Sequence, residues 1–508
     1  MPVETIVDEN NQYPWTSIEI EFDDNGVMLT RTINFDDGIS ALETFESGQM
    51  TSLLKTDTGD DGGIKPWTSV LMSYDATGRL EERYTIYDDG RALTEMIDGS
   101  VEMTLEEDLD DIANWTTIET NSVGRTISDR VITYDNGVIR SELFNGGWLR
   151  SVVETDGFEI GDGTPPEHGG VKSWTQRKTS YDSWGLIESR KTEFDNGIYR
   201  DEGFEDGQIT FKAEFDGYNP WSGSAPPTDG GAFSWDFRAY SYSGGILTGH
   251  KIIYDNYIVE QGYYSAYGFP GLLQSTIKTD GFDPTLGEAP PEDGGSMAWT
   301  RLITDYHPDG EIFGKTYEFD DGVVRFETYQ QGSLWRVYIG DGFMPISENV
   351  PADSGVKPWE TITESYEVSG LISFRETTYD NGDVKLDRFE NGVLFSSLKA
   401  DGYHPTFDTP PVDGGNAEWS SIETLYSSSG QIESRATIYD DGDTIIFNFE
   451  DGERSERVRV DGDGDETWLL SVTTYGEDGN QTVNYDTAED VPDAYFDYLA
   501  FTALSDIA

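Results

Sequence analysis

Cysteine is absent from the 508-residue sequence, which removes disulfide frameworks, thiolate zinc sites, iron–sulfur clusters and cysteine nucleophiles and leaves the redox compartment open. Positive charge is scarce: 33 Lys and Arg stand against 98 Asp and Glu, a formal net charge of −65. A chain of that sign is repelled by phosphate backbones and anionic headgroups, because counterion release needs clustered Lys and Arg. Neither nucleic acid nor membrane insertion is therefore expected. No run approaches the roughly 18 apolar residues of a membrane span, and residues 1–14, MPVETIVDENNQYP, lack the basic and apolar regions of a cleavable signal peptide. Histidine is nearly missing. His168, His250, His307 and His404 are scattered along the chain, a spacing that suggests no metal or acid–base cluster.

Aromatic residues, by contrast, make up 13% of the chain and glycine numbers 56, a composition that points to folded β-structure with glycine turns rather than to an acidic disordered chain. The aromatics also recur. Trp15, Trp67, Trp115, Trp174, Trp235, Trp299, Trp359, Trp419 and Trp468 lie 48 to 64 residues apart, and similar text follows each one. The chain therefore divides into an N-terminal leader (1–14), eight tandem repeats (15–467), a ninth partial repeat or hairpin (468–485) and a C-terminal segment (486–508).

Each repeat holds four short segments separated by three turns. In the fourth, WTQRKTSY leads through DSWG to LIESRKTEF, through DNG to IYRDEGF, and through EDG to QITFKAEF. Asx side chains hydrogen-bond turn backbone and glycine accepts positive φ, so each repeat reads as a four-stranded antiparallel meander. A three-residue D-[DN]-G loop sets the register of the central hairpin. It places Arg31 opposite Glu43, Arg83 opposite Glu95, Arg130 opposite Glu142, Arg190 opposite Glu202, Lys315 opposite Glu327 and Arg375 opposite Asp387. His250 opposite Gly262 and Arg435 opposite Phe447 are the two exceptions. These charges are read as structural pairs, since a one-residue slip would exchange the two faces.

Strands such as ESRKTE and FRETT carry little apolar surface on either face. The expected fold is all-β: an elongated, twisted or superhelical antiparallel sheet built of repeats, stabilised by neighbour-to-neighbour packing. A closed eight-bladed propeller is the alternative, opposed by the polar strands and by a spare hairpin after eight whole units. After Pro492, Phe496, Leu499, Ala500, Ala503, Leu504 and Ile507 fall at helical intervals. They predict a short amphipathic helix, either a cap on the array or an uncleaved C-terminal secretion signal.

YDATGRL (Tyr74 to Leu80) resembles the tyrosine–aspartate motif of RHS/YD repeats, while YDDGRALTEMIDG and FDNGIYRDEGFEDG are similar to MORN-like hairpin repeats. The composite unit also resembles repeat arrays in secreted RTX-type proteins of marine alphaproteobacteria, although the glycine-rich nonapeptide calcium repeat of that class is absent. The resemblance spans about residues 15 to 485. It implies a β-repeat scaffold, type I-like secretion and an extracellular location.

Repeats three to seven carry an insert that opens on Asp-Gly-aromatic, with Phe158, Tyr218, Phe282, Phe343 and Tyr403 as the aromatics, and four of the five close on clusters such as PPEHGG or PPVDGG. Arising at one point of the unit, these loops form a row. They read either as binding loops, with Trp221 as a further contact, or as plugs over the unit junctions. Trp148, Trp184, Trp221 and Trp335 break the repeat pattern and are the stronger candidates for exposed ligand contacts. For metal, Asp461, Asp463 and Asp465 alternate with glycine and offer hard oxygen ligands suited to Ca²⁺, with Asp60 and Asp61 a fainter second group. No nucleophile–base set, phosphate loop or histidine cluster appears, so no enzyme is expected. The function expected is an acidic, adhesin-like extracellular structural protein that presents repeated loops to a glycan or protein surface, with self-association open to it. A virion or appendage component and a glycan-active enzyme are the alternatives.

Overall fold

The computed structural model describes residues 2–57, 63–158, 170–220, 231–265, 269–291, 295–344, 355–408, 415–476 and 479–503. Asp60, Asp61, His168, Trp221 and most of the Pro/Gly clusters lie outside them. The described residues hold 35 strands, and every ladder described is antiparallel. All eight complete repeats begin a strand on their tryptophan: Trp15–Phe22, Trp67–Tyr74, Trp115–Val123, Trp174–Tyr181, Trp235–Ser243, Trp299–Tyr306, Trp359–Tyr366 and Trp419–Tyr426.

Two units divide the chain, Met1–Leu247 and Thr248–Ala508. Within each, a strand pairs with the strands before and after it in sequence. Pairing does not stop at repeat boundaries: Ser52 faces Ser73 and Ser151 faces Ser180 in the first unit, Ser275 faces Asp305 and Ser396 faces Leu425 in the second. A propeller keeps its four-stranded blades as separate sheets, so these continuous ladders rule out the propeller alternative.

The local chemistry explains the meander. Gly137, at φ +84°, donates its N–H to the Tyr134 carbonyl at 2.9 Å, and Asn136 Oδ1 accepts from Val138 N–H at 3.1 Å. That is the tight D-[DN]-G reversal expected from the residues. The last hairpin of the fourth repeat uses two left-handed residues in succession, Asp206 at φ +50° and Gly207 at +75°, the type I′ geometry that matches strand twist. The tryptophan end of the first strand carries a bulge in the seven repeats whose first hairpin is described. Trp174 pairs with Phe194 but Gln176 with Glu193, which sets the indole beside the aromatic that closes the second strand.

Predicted registers appear as ladder rungs, Arg31 opposite Glu43 through Arg375 opposite Asp387, with His250 opposite Gly262 and Arg435 opposite Phe447. Contact is more varied than register. Arg31 reaches Glu43 and Arg130 reaches Glu142 at 2.6 Å, Arg83 meets Glu95, and Arg190 stands 3.8 Å from Glu202. The last two predicted pairs do not close. Lys315 lies over the Tyr329 ring while Glu327 takes Arg325, and Arg375 turns to Glu364 while Asp387 takes Lys385. The residue opposite on the other neighbouring strand is as near as the predicted partner, and one two residues along is still within reach of a long Lys or Arg side chain.

Most strand residues are half-buried. Long side chains supply the cover by lying flat: the Arg177, Arg200 and Arg238 guanidinium groups sit 5.0, 4.6 and 4.4 Å from the rings of Trp174, Phe194 and Trp235. One apolar cluster stands out in the second unit, where Ile446, Val458, Val460, Leu470 and Val472 are buried beneath Tyr495, Tyr498 and Leu499 of the helix α1 (Asp493–Ala503). Tyr495 also donates to Glu456 at 2.7 Å. The helix thus docks on the sheet and begins at Asp493, while Leu504 and Ile507 lie outside the described residues. At the other terminus the segment read as a leader contains a strand, Val3–Val7, paired with Trp15–Phe22. Five residues exposed along their whole length leave no hydrophobic pattern to read.

Candidate functional site

Carboxylates are the obvious chemical resource of this chain, and the structure neutralises many of them. Glu214, on the fourth strand of the fourth repeat (Gln208–Asp216), is 0% exposed. It is flanked across the ladder by Arg200 and Arg238. Arg200 approaches at 2.8 Å and Lys212 at 3.1 Å, while Arg238 bonds its other oxygen. Burial opposes the charged form, but Lys212, Arg238 and Arg200 together hold the carboxyl below the ordinary Glu value. In the second unit Glu260 is pulled down to about 2 by His250, against burial and with help from Lys278 and Tyr254. His250, which stands where other repeats have Arg or Lys, thereby serves the same charged face.

A second set of buried acids ends the fourth strands. Asp57, Asp156, Asp216, Asp341 and Asp401 are buried and accept the backbone N–H of Lys65, Lys172, Phe233, Lys357 and Ala417 at 2.6–2.8 Å. A glycine two residues before each donor lies against the carboxylate. A Cβ placed on Gly63, Gly170, Gly231, Gly355 or Gly415 would fall 1.9–2.4 Å from the Asp Cγ. These aspartates latch the connection to the next repeat back to the sheet in repeats one, three, four, six and seven. Sequence reasoning missed them, although for Asp156, Asp216, Asp341 and Asp401 the signal was present as Asp before Gly-aromatic and Gly shortly before the next tryptophan.

The predicted loop aromatics lie near this latch. Phe343 is buried, and Phe158, Tyr218, Phe282 and Tyr403 are half-buried. Tyr218 packs edge-on against Phe215 at 5.4 Å, and burial pushes its hydroxyl up to about 12.

Of the predicted calcium ligands, Asp461 and Asp463 come together, but their third partner is Asp443, whose carboxylate oxygen lies with theirs within 4.8 Å. Asp465 is outside the group, and the charge of Asp463 pushes its carboxyl above the ordinary value. Arg459 contacts Asp443 at 2.7 Å, and Asp461 accepts from Gly464 and Glu466 N–H at 3.0 and 3.2 Å. The preceding repeat repeats the theme, with Asp383 before Val384 and Lys399 at 2.6 Å from it. In both, an added acid comes with its own cation.

The off-pattern tryptophans behave differently from the repeated ones. Trp235 is buried and the other tryptophans that open a complete repeat are half-buried. Trp184, in the D-S-W-G turn, is 81% exposed, Trp148 62% and Trp335 44%. In the second unit Trp335 lines a groove of about 320 Å³ with Tyr366, Gln330, Gln331, Ser333, Leu334, Glu367 and Val368. Neither Tyr366 nor the glutamines carried a signal beyond the repeat itself.

No family model matches the chain, and no curated protein sequence does. Among solved structures, that of Saccharomyces cerevisiae Sqt1 is similar over 83% of this chain and 93% of its own at 11% identity and a TM-score of 0.11. The computationally designed Ika8 protein is similar over 82% and 95%, also at 11% identity and a TM-score of 0.11.

Proposed function

We propose that this chain is a non-enzymatic, acidic β-repeat scaffold of the adhesin-like extracellular kind, which presents repeated surface features to a glycan or protein surface. The observation that supports this reading is the division among its tryptophans. Those that start the repeats are sheltered in the sheet, while Trp148, Trp184 and Trp335 project at the strand ends. Exposed indoles are poor for solubility and serve well as contact residues, being large, rigid and apolar with one polar atom. The net charge of −65 suits a saline medium and opposes edge-to-edge pairing of copies. Incubating the full-length chain with a panel of insoluble and soluble polysaccharides and with surface-protein extracts is the test. Retention without released sugar is expected, whereas released oligosaccharide would replace this reading with a glycan-active enzyme.

Calcium enters the proposal as a stiffening ion at Asp443, Asp461 and Asp463. A ligand that binds only the folded state contributes about 2.7 kcal/mol at 100-fold excess over Kd. The expected result is a rise in thermal midpoint with Ca²⁺ that Mg²⁺ at equal ionic strength does not reproduce and Asp463→Asn abolishes.

A further inference from the structure

We propose that the groove around Trp335 is a subsite for a neutral glycan chain. It lies between the fourth strand of repeat six (Ser333–Asp341) and the first strand of repeat seven (Trp359–Tyr366), at the end of the sheet that carries the type I′ turn of Gln331 and Gly332. This site deepens the glycan half of the function proposed above and rests on that reading.

Three features fit a sugar. First, Trp335 occupies the bulge after the turn, where Thr328 pairs with Arg336 but Tyr329 with Leu334, so its side chain is freed from the regular alternation of faces. The Arg336 guanidinium packs 4.5 Å from the indole centre and holds the ring while it remains 44% exposed. Second, the next rung pairs Arg336 with Ser365, which brings Tyr366 to the strand end beside Trp335. The Tyr366 hydroxyl is already committed to Glu364 at 2.6 Å, leaving the ring as its contribution to the groove. Third, Gln330, Gln331, Ser333 and Glu367 surround the rings. Primary amides and a hydroxyl both donate to and accept from hydroxyl groups and a carboxylate accepts from them, while the rings take the apolar C–H face of a pyranose. A groove of about 320 Å³ holds a few sugar residues and is small for a protein contact. The chain's negative charge selects against acidic polysaccharides.

The same position one repeat earlier is also hollow. There Tyr306 stands where Tyr366 does, and Phe269, Leu272, Gln274, His307 and Pro308 complete a recess of about 180 Å³. Four strands separate the two recesses, roughly 19 Å at about 4.8 Å per strand. A polymer crossing the strands would engage both, whereas a short fragment would fill one, so affinity should rise with chain length.

The test is titration of the full-length chain with mixed-linkage β-glucan, with galactomannan and with short oligosaccharides cut from each. Wild-type protein is expected to bind at least one polymer at least tenfold more tightly than its fragments. Trp335→Ala should weaken polymer binding at least tenfold with an unchanged urea midpoint, Trp335→Phe should retain most of it, and Tyr257→Asn, at an exposed turn ring of the same unit, should leave it intact. Polymer binding that survives Trp335→Ala overturns this subsite and leaves the scaffold reading standing. No binding of neutral polysaccharide, with retention of a surface protein instead, overturns the subsite and directs the scaffold reading to protein.

Discussion

Glu214→Ala is expected to lower the stability of the first unit by roughly 2–3 kcal/mol. Removing one partner of a buried ion pair typically costs about 3–5 kcal/mol, and the cations here stay partly solvated, which trims the figure. The loss arises because Arg200, Lys212 and Arg238 converge on a carboxylate with no exposed surface. Without it, three like charges crowd one face of the sheet. Glu214→Gln preserves shape and isolates the charge, and should recover only part of the loss. The exposed Glu188→Ala on the same repeat should be neutral within about 0.5 kcal/mol. Urea unfolding followed by tryptophan fluorescence reads all three. Equal midpoints for wild type and Glu214→Ala would mean that the charged face is decoration.

The second large effect belongs to the latch. Gly231→Ala would put a methyl group 2.3 Å from the Asp216 Cγ, so either the carboxylate or the loop must move, at a cost of roughly 1–3 kcal/mol. Asp216→Ala removes the buried charged acceptor of the 2.6 Å bond from Phe233 N–H, at about 1–3 kcal/mol. The two should not add. Once Asp216 is alanine the space beside Gly231 opens, and Gly231→Ala should become nearly neutral in that background. A double-mutant cycle by urea unfolding measures the coupling, expected to exceed about 1 kcal/mol. Simple additivity would show that the glycine serves the loop for some reason other than the aspartate.

Much of this architecture was legible in the primary structure. Period, strand number and hairpin register follow from local chemistry: a tryptophan at each strand start, Asp-Asn-Gly or Asp-Asp-Gly loops that permit one tight reversal, and opposite charges at fixed offsets. Such signals act over a dozen residues and survive without knowledge of the rest of the chain. The latch was less legible because its partners, such as Asp156 and Lys172, are 16 residues apart and its donor is a backbone N–H that any residue supplies. The acidic turn was half legible. Asp461 and Asp463 are sequence neighbours, but Asp443 joins them only because the hairpin folds the start of one strand against the end of the next.

What the sequence determined by itself, then, is an all-β repeat with its register, because turn chemistry and alternating faces are short-range. What only the tertiary structure decided is which side chains meet across rungs and strand ends. Lys315 and Arg375 each turned from the predicted partner to a nearer one, and Trp335 found Tyr366 at the mouth of a groove. Continuity of the sheet across repeat boundaries was favoured in the sequence by the polar strands and the spare hairpin, and the pairing of fourth strands with the next tryptophan strands realises it, satisfying backbone groups that separate blades would leave at their edges.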